Sequence, residues 1–174
     1  AVAHLVDRAG GDGRQVLTAL EVAVALAHPG PVETAHGEAA LGTSAWVVHR
    51  LDRDTSGVVV FARTPEAHRA LSRAFEARDV VTRYAALVYG VPAPPAGVVD
   101  VPLHEARKGK SRPARPDEPG ARDASTTYAV RHMWRHGDHA IAAVSATPRT
   151  GRHHQIRVHL RSIGTPVLGD ALYG

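Results

Sequence analysis

Residues 46–62 read WVVHRLDRDTSGVVVFA, in which two apolar runs enclose a charged loop. The runs at residues 46–48 and 57–62 are short and rich in β-branched side chains, which predicts two buried strands. Five of the eight residues between them, 49–56, carry ionisable side chains. Burying so many charges would be costly, so we expect this loop to face a cleft or solvent.

Three helices and three further strands are predicted around this stretch. Helices are predicted over residues 14–27, over 64–78 with Thr64 as cap, and over 150–164 with Gly164 as stop. The inward side chains expected on the last two are Ala67, Ala70, Leu71, Ala74, Phe75, Ile156, Leu160 and Ile163. Strands are predicted over residues 80–91, 126–133 and 140–146. Residues 102–125 are rich in Pro, Gly and charge without apolar periodicity, which predicts a mobile surface loop.

Length and composition limit the classes of protein. A chain of 174 residues suits one domain, and the absence of cysteine excludes disulfides, thiol catalysis and zinc sites built on cysteine. The excess of 21 Lys+Arg over 17 Asp+Glu mildly favours a nucleic-acid partner. No apolar run reaches the roughly 18 residues of a membrane helix, and the N-terminus lacks a secretion signal pattern. We therefore expect a cytoplasmic protein without a membrane span.

Several common catalytic motifs are missing from the sequence. The chain has no phosphate-binding loop of the P-loop or Rossmann type and no Gly-x-Ser-x-Gly elbow. Of its twelve histidines, His153, His154 and His159 lie on the predicted last helix without the i, i+4 spacing of a zinc protease. We interpret them as polar-face or RNA-contacting side chains and expect no metal.

Two charged segments, residues 49–57 and 149–160, remain as candidates for chemistry. Asp52 lies between Arg50 and Arg53, and nearby positive charge favours its ionised form. An ionised carboxylate can act as a nucleophile towards an anomeric carbon. The Arg, His and Gln side chains of residues 149–160 could position that carboxylate and bind phosphates.

Three segments in one order carry a resemblance to a known family. They are HRLDRDTSG at residues 49–57, RYAALVYG at 83–90, and TGRHHQIRVHL at 150–160 running on to GTPVLGD at 164–170. Together they resemble the RluA-type pseudouridine synthases, which isomerise uridines in ribosomal or transfer RNA. The resemblance spans about residues 46–174 and implies the pseudouridine synthase catalytic fold, of class α+β, with a central mixed, mostly antiparallel sheet flanked by helices. It also implies a reaction without a cofactor.

The resemblance assigns roles to particular residues. It makes Asp52 the catalytic nucleophile, Tyr84 the tyrosine that stacks on the target base, and Arg157 the partner of the carboxylate, with Arg152 as the alternative partner. Asp54 is then structural. The side chains expected to contact RNA are His49, Arg50, Arg53, Thr55, Arg152, His154 and Gln155.

The sequence departs from the family pattern at both ends. A Lys-Pro-x-Gly segment that usually precedes the aspartate loop is not found, and the chain stops at Gly174, where the family usually continues. We expect one catalytic domain over residues 1–174 that lacks the usual N-terminal strand segment and C-terminal end and has no S4 domain. The expected partner is ribosomal or transfer RNA, and we assume a monomer. The alternatives are a catalytically inactive RNA-binding module and a histidine-rich metallohydrolase.

Overall fold

A computed structural model of the chain describes residues 45–106 and 109–174. The chain divides into two compact units, Ala1–Val80 and Val81–Gly174, which are described separately. The helix predicted over residues 14–27 lies outside the described residues. Within the described ranges, no helix is long and apolar enough to cross a membrane.

The described part of the first unit contains a short strand pair and one helix. Strand β1 (Trp46–Val47) pairs antiparallel with β2 (Phe61–Ala62). The two predicted strands are thus confirmed, but the second is shorter than residues 57–62. The backbone N–H of Val60 donates to Nε2 of His49, at 3.0 Å, instead of to a strand carbonyl. The ladder therefore ends where the charged loop begins.

Helix α1 (Pro65–Glu76) follows β2 directly. Its start is the predicted one, since the Thr64 hydroxyl accepts a hydrogen bond from the Ala67 N–H at 3.2 Å and proline occupies the first turn. The helix ends two residues before the predicted boundary of Arg78. The predicted inward stripe is half-buried except for Ala70, which is exposed, and none of its members is fully buried. The prediction for Ala70 was therefore wrong.

A four-stranded sheet forms the centre of the second unit. Its strands are β3 (Tyr84–Tyr89), β4 (Ala96–Asp100), β7 (Ser125–His136) and β8 (His139–Pro148), in the order β3-β8-β7-β4. Every pairing in this sheet is antiparallel. Strands β7 and β8 confirm two predicted strands and extend beyond both. A bulge between Val130 and His132 interrupts their register, and all β7 residues beyond it are exposed. Because that part of the hairpin has no buried face, its sequence shows no alternation of apolar and polar residues, and the prediction did not extend to the end of the strand.

One face of this sheet packs against helix α2 (Gln155–Ser162). The core there contains Val88, Val99, Tyr128, Ala142, Val144 and Leu160. The helix ends as predicted: the Gly164 N–H donates to Arg161 and the Thr165 N–H donates to Leu160, with Gly164 at φ +78°. It begins at Gln155 rather than at Thr150, because the preceding residues form a separate hydrogen-bonded loop.

A second hairpin stands where a mobile loop was predicted. Strands β5 (Leu103–Ala106) and β6 (Lys110–Pro113) pair antiparallel, so the loop prediction for residues 102–125 was wrong over these two strands. Leu103 also exchanges backbone hydrogen bonds of 2.9 and 2.8 Å with Arg122. The buried residues of the hairpin, Leu103 and Ser111, are too few to produce an apolar period. Its order comes from backbone pairing and single anchored side chains, which a search for periodicity does not detect.

Candidate active site

The loop between β1 and β2 carries Asp52. This residue is half-buried, and its carbonyl accepts a hydrogen bond of 3.0 Å from the Thr55 N–H, which closes a turn. Arg50 and Arg53 are exposed, and among the described residues no ion pair joins either of them to Asp52. The positive charges expected to favour the ionised form of Asp52 therefore do not come from ion pairs with its flanking arginines.

His49 lies at the base of the same loop. Its ring stacks on Phe75 of α1, with centroids 4.8 Å apart and an interplanar angle of 18°. Because Nε2 accepts the N–H of Val60, the ring is in a form with a lone pair on that nitrogen. Burial lowers the pKa of His49, which also favours the neutral imidazole. His49 thus fixes the start of the Asp52 loop against the helix.

Tyr84 is the first residue of β3 and pairs with Ala146 of β8. Because side chains alternate along a strand, Tyr84 lies on the same face as Val88, which packs into the core beneath α2. Tyr84 itself is half-buried, whereas Tyr89 on the opposite face is 52% exposed. The sheet therefore presents Tyr84 at its end, on the face that carries the helix.

Arg157 of α2 is held by Asp170. Its Nε and Nη2 donate to the two carboxylate oxygens at 2.7 Å each, which is the bidentate geometry that arginine favours. The Asp170 side chain is only 3% exposed. The same carboxylate accepts the N–H groups of Leu172 and Tyr173, and the pKa of Asp170 is lowered to about 2, chiefly by the hydrogen bond from Arg157. Asp170 therefore fixes the direction of the Arg157 guanidinium.

Arg152, the alternative basic partner, is held differently. Its Nε donates to the carbonyl of Asp123 at 2.9 Å, so the group that binds it is neutral. Arg157, by contrast, is bound to an ionised carboxylate. The pairing of Asp52 with Arg157 or with Arg152 stays a prediction, because Asp52 belongs to the first unit and both arginines belong to the second.

Gln155 organises the loop before α2. Its amide nitrogen donates to the Ser125 carbonyl and to the Thr126 hydroxyl, both at 2.9 Å. Its amide oxygen accepts from the Thr150 hydroxyl at 2.7 Å and from the Arg152 N–H at 3.0 Å. With a buried side chain and four such bonds, Gln155 would contact RNA directly only if some of these bonds opened.

The three clustered histidines do not lie on one helix, contrary to the prediction. His153 and His154 precede α2, and their rings stack with centroids 3.6 Å apart. His159 is completely buried, where its Nδ1 accepts from the Thr126 hydroxyl and its Nε2–H donates to the Val101 carbonyl, both at 2.9 Å. Its interpretation as a polar-face residue was wrong. The described ranges contain no group of three or more His, Cys, Asp or Glu that could hold a metal ion.

Sequence reasoning did not single out Asp170, Tyr173 or Ser111. Asp170 is the last residue of the third matched segment, which was the available signal, and Tyr173 follows it by three positions. Ser111 and Tyr173 are joined by a hydrogen bond across 62 residues of sequence. No local pattern reports a contact between positions so far apart.

Comparison with known proteins identifies relatives of this chain. Residues 27–162 match the family described as RNA pseudouridylate synthase. The chain is 43% identical over 130 residues to the ribosomal large subunit pseudouridine synthase D of Xanthomonas campestris, covering 75% of this chain. It is 41% identical over 126 residues to the dual-specificity RNA pseudouridine synthase RluA of Escherichia coli, covering 72% of this chain.

A solved structure shares the fold as well as the sequence similarity. The human RNA pseudouridylate synthase domain containing 4 superposes with a TM-score of 0.68 at 33% identity, covering 82% of this chain and 58% of that one. The chain spans 37% of the length of the Xanthomonas protein and 56% of that of the Escherichia protein. The match to the family covers most of the chain and includes the Asp52 loop, Tyr84 and Arg157. The chain belongs to the RNA pseudouridylate synthase family.

Proposed function

We propose that this protein isomerises uridine to pseudouridine in RNA, with Asp52 as the nucleophile. The observation that carries the proposal is the family match over residues 27–162, which contains the first two segments quoted from the sequence and residues 150–160 of the third. The location of Asp52 in a half-buried loop with exposed arginines on both sides supports it, since an RNA strand can reach such a loop.

The proposed reaction needs only groups of the protein and the uridine. Asp52 attacks ribose C1′ or uracil C6, and the glycosidic bond between N1 and C1′ breaks. The base rotates, C5 joins C1′, and the bond from Asp52 to C1′ or C6 breaks, which frees the carboxylate. The proton on C5 is released, and N1 ends with a proton. The target base must leave its stack to be reached. Tyr84 would then stack on it, an interaction worth about 1 to 3 kcal/mol per base in nucleic-acid-binding proteins.

The proposed substrate is ribosomal or transfer RNA. The relatives' names refer to the ribosomal large subunit and to dual RNA specificity, and this chain has a net charge of +4. Arg50 and Arg53 are exposed and can contact phosphates in the way that arginine does in many complexes. Such contacts would position the RNA without reading its sequence.

Tritium release from RNA transcribed with 5-tritiated uridine tests the proposal. We expect release with the wild-type protein and with Asp54→Asn, and none with Asp52→Asn, which keeps the size of the side chain but not its charge. Folding of each variant is checked by circular dichroism, and RNA binding by fluorescence anisotropy. Release that persists in Asp52→Asn would exclude Asp52 as the nucleophile. A folded wild-type protein that binds ribosomal or transfer RNA without release would instead indicate a non-catalytic binding module.

A further inference from the structure

The far end of the β7–β8 hairpin, residues 131–139, is exposed along its whole length. We refer to this segment as the hairpin end. The pairing of β4 with β7 stops at Ala96 and Ala129, so among the described strands only β8 flanks β7 there. Within the described part of the chain, no residue of the hairpin end belongs to an apolar core. Packing therefore does not explain the sequence of this segment.

The hairpin end combines positive charge with an exposed aromatic ring. Its sequence, RHMWRHGDH, contains two arginines, three histidines and a tryptophan against one carboxylate, Asp138. Trp134 is 49% exposed, and its ring meets that of His132 with centroids 4.4 Å apart and an interplanar angle of 60°. The side chains of Arg131 and Arg135 form no hydrogen bond or ion pair with any described residue. Both guanidinium groups are thus available to an anion.

Strand pairing places Trp134 away from the proposed reaction. Trp134 pairs with Ile141, and because side chains alternate along a strand it lies on the face opposite to the core residue Ala142. Tyr84 pairs with Ala146, five residues further along β8, and lies on the helix face. The strand positions of Trp134 and Tyr84 are therefore about 17 Å apart. An RNA with its target base at Tyr84 would reach Trp134 only with other nucleotides.

We propose that the hairpin end is a second RNA-binding surface, which binds an unpaired stretch of RNA outside the target site. Trp134 stacks on a base, and Arg131 and Arg135 bind phosphates beside it. Aromatic rings stack on every type of base, and arginines bind the backbone without reading its sequence. The excess of positive charge favours RNA over a protein as the occupant, because the phosphate backbone is negative along its whole length. The choice of RNA rests on the proposed function, but the tests require no turnover.

Tryptophan fluorescence tests the stacking. The chain has two tryptophans, so Trp46→Phe leaves Trp134 as the only one. The probe is single-stranded oligocytidylate, which contains no uridine and cannot be a substrate of the proposed reaction. We expect it to quench most of the emission of Trp134, and a fully paired RNA duplex to leave that emission nearly unchanged. Emission that stays unquenched when the oligocytidylate is bound would overturn the stacking.

A substitution with two matched controls measures what the ring contributes. Trp134→Ala should raise the Kd for fluorescein-labelled oligocytidylate, measured by anisotropy, about tenfold, the equivalent of 1.4 kcal/mol. Met133→Ala changes the adjacent residue, which is 56% exposed on the other face. Tyr89→Ala changes an aromatic residue that pairs with Ile141 from β3 and shares the face of Trp134, but lies outside the hairpin end. Both controls should leave Kd unchanged.

The second control also separates the hairpin end from the rest of the sheet face. A loss of affinity in Tyr89→Ala as large as that in Trp134→Ala would assign the binding to the sheet face as a whole and overturn the hairpin end as the site. Circular dichroism shows whether each variant is folded, and all of these side chains lie at exposed positions.

The salt dependence of binding tests the phosphate contacts. Each phosphate contact with a single strand contributes about 0.7 to the slope of log Kd against log salt concentration, so the double variant Arg131→Gln, Arg135→Gln should lower that slope by about 1.4. Arg73→Gln removes a positive charge from an exposed position on α1 and should change the slope by much less. A slope that is unchanged in the double variant would overturn the phosphate contacts.

The outcomes distinguish this proposal from another occupant and from the proposed function. A dimer in sedimentation that Trp134→Ala dissociates would place a second copy of the chain on this surface and overturn the RNA assignment. Absence of tritium release, with oligocytidylate binding that depends on Trp134, would overturn the isomerase and leave this proposal standing. Tritium release without oligocytidylate binding would overturn this proposal alone, and a protein that shows neither would overturn both.

Discussion

Arg157 and Asp170 are joined by two parallel hydrogen bonds of 2.7 Å, which connect helix α2 to the segment that follows it. The exposed fractions of their side chains are 19% and 3%, so the pair is largely removed from solvent. In such surroundings the desolvation of each ion is offset only while its partner is present. The pair therefore fixes the direction of the arginine side chain. It also offsets the cost of burying each of the two charges.

Removal of the carboxylate should destabilise the protein. For Asp170→Ala we expect the free energy of unfolding to fall by about 3 kcal/mol, because a largely buried guanidinium loses its bidentate carboxylate and the N–H groups of Leu172 and Tyr173 lose their acceptor. Urea unfolding at neutral pH measures this. Glu66→Ala is the matched control, since the Arg69–Glu66 pair has side chains 62% and 73% exposed and should contribute less than about 1 kcal/mol. Equal effects of the two substitutions would contradict the role assigned to Asp170.

Protonation of His159 should make stability depend on pH. Burial lowers the pKa of His159 below the ordinary value of 6.5, so the unfolded chain binds this proton more readily than the folded one. The stability that depends on a neutral His159 is fully present above pH 6.5 and is lost progressively as the pH falls below that value. We therefore expect the free energy of unfolding to decrease between neutral pH and about pH 5.

Chemical unfolding at several pH values tests this expectation. In His159→Gln the amide can still donate to the Val101 carbonyl, and the dependence on pH should become shallower although the protein is less stable at neutral pH. The remaining slope would include His49, whose pKa is also lowered by burial. His139→Gln, at an exposed position, controls for the removal of one histidine. A slope unchanged in His159→Gln would exclude His159 as the group responsible.

The hydroxyl of Thr126 connects Gln155 to His159. It accepts from the Gln155 amide and donates to His159 Nδ1, at 2.9 Å in each case, and Thr126 is 1% exposed. Thr126→Val keeps the shape but leaves the buried Nδ1 of His159 without its donor and removes one of the two acceptors of the Gln155 amide nitrogen, which should cost about 1 to 3 kcal/mol. The adjacent Thr127→Val, at a half-buried position on the other face, should change stability by much less. Thermal or urea unfolding of both variants distinguishes the stability lost with the hydrogen bonds of Thr126 from the effect of a Thr→Val change on packing.

The elements that the sequence predicted well are those with local signals. Helix α1 begins at a capping threonine, α2 ends at a glycine with positive φ, and the β7–β8 hairpin has a buried alternating face. The helix over residues 14–27 lies outside the described residues and stays a prediction. The β5–β6 hairpin was missed because its order depends on backbone pairing and on Ser111, not on a repeating apolar pattern.

For the candidate site too, the sequence predicted the residues that belong to a local motif but not the contacts that these residues make. Motif resemblance led to Asp52, Tyr84 and Arg157, but residue type alone could not show that Arg157 is bound to Asp170 or that Gln155 is buried. A glutamine in a charged segment has the composition of a surface residue. Its burial follows from contacts with Ser125 and Thr126, some 30 residues away, which only the folded chain reveals.

The two tyrosines of strand β3 provide the sharpest comparison for the proposed reaction. Tyr84 and Tyr89 lie in the same strand but on opposite faces, and only Tyr84 shares the face of helix α2. If Tyr84 stacks on the target base, Tyr84→Ala should lower kcat/KM for tritium release by about 10- to 100-fold, as expected for the loss of one stacking contact. Tyr89→Ala, with equal loss of side chain, should retain nearly full activity. Equal losses in both variants would indicate damage to the strand and not a missing contact with the base.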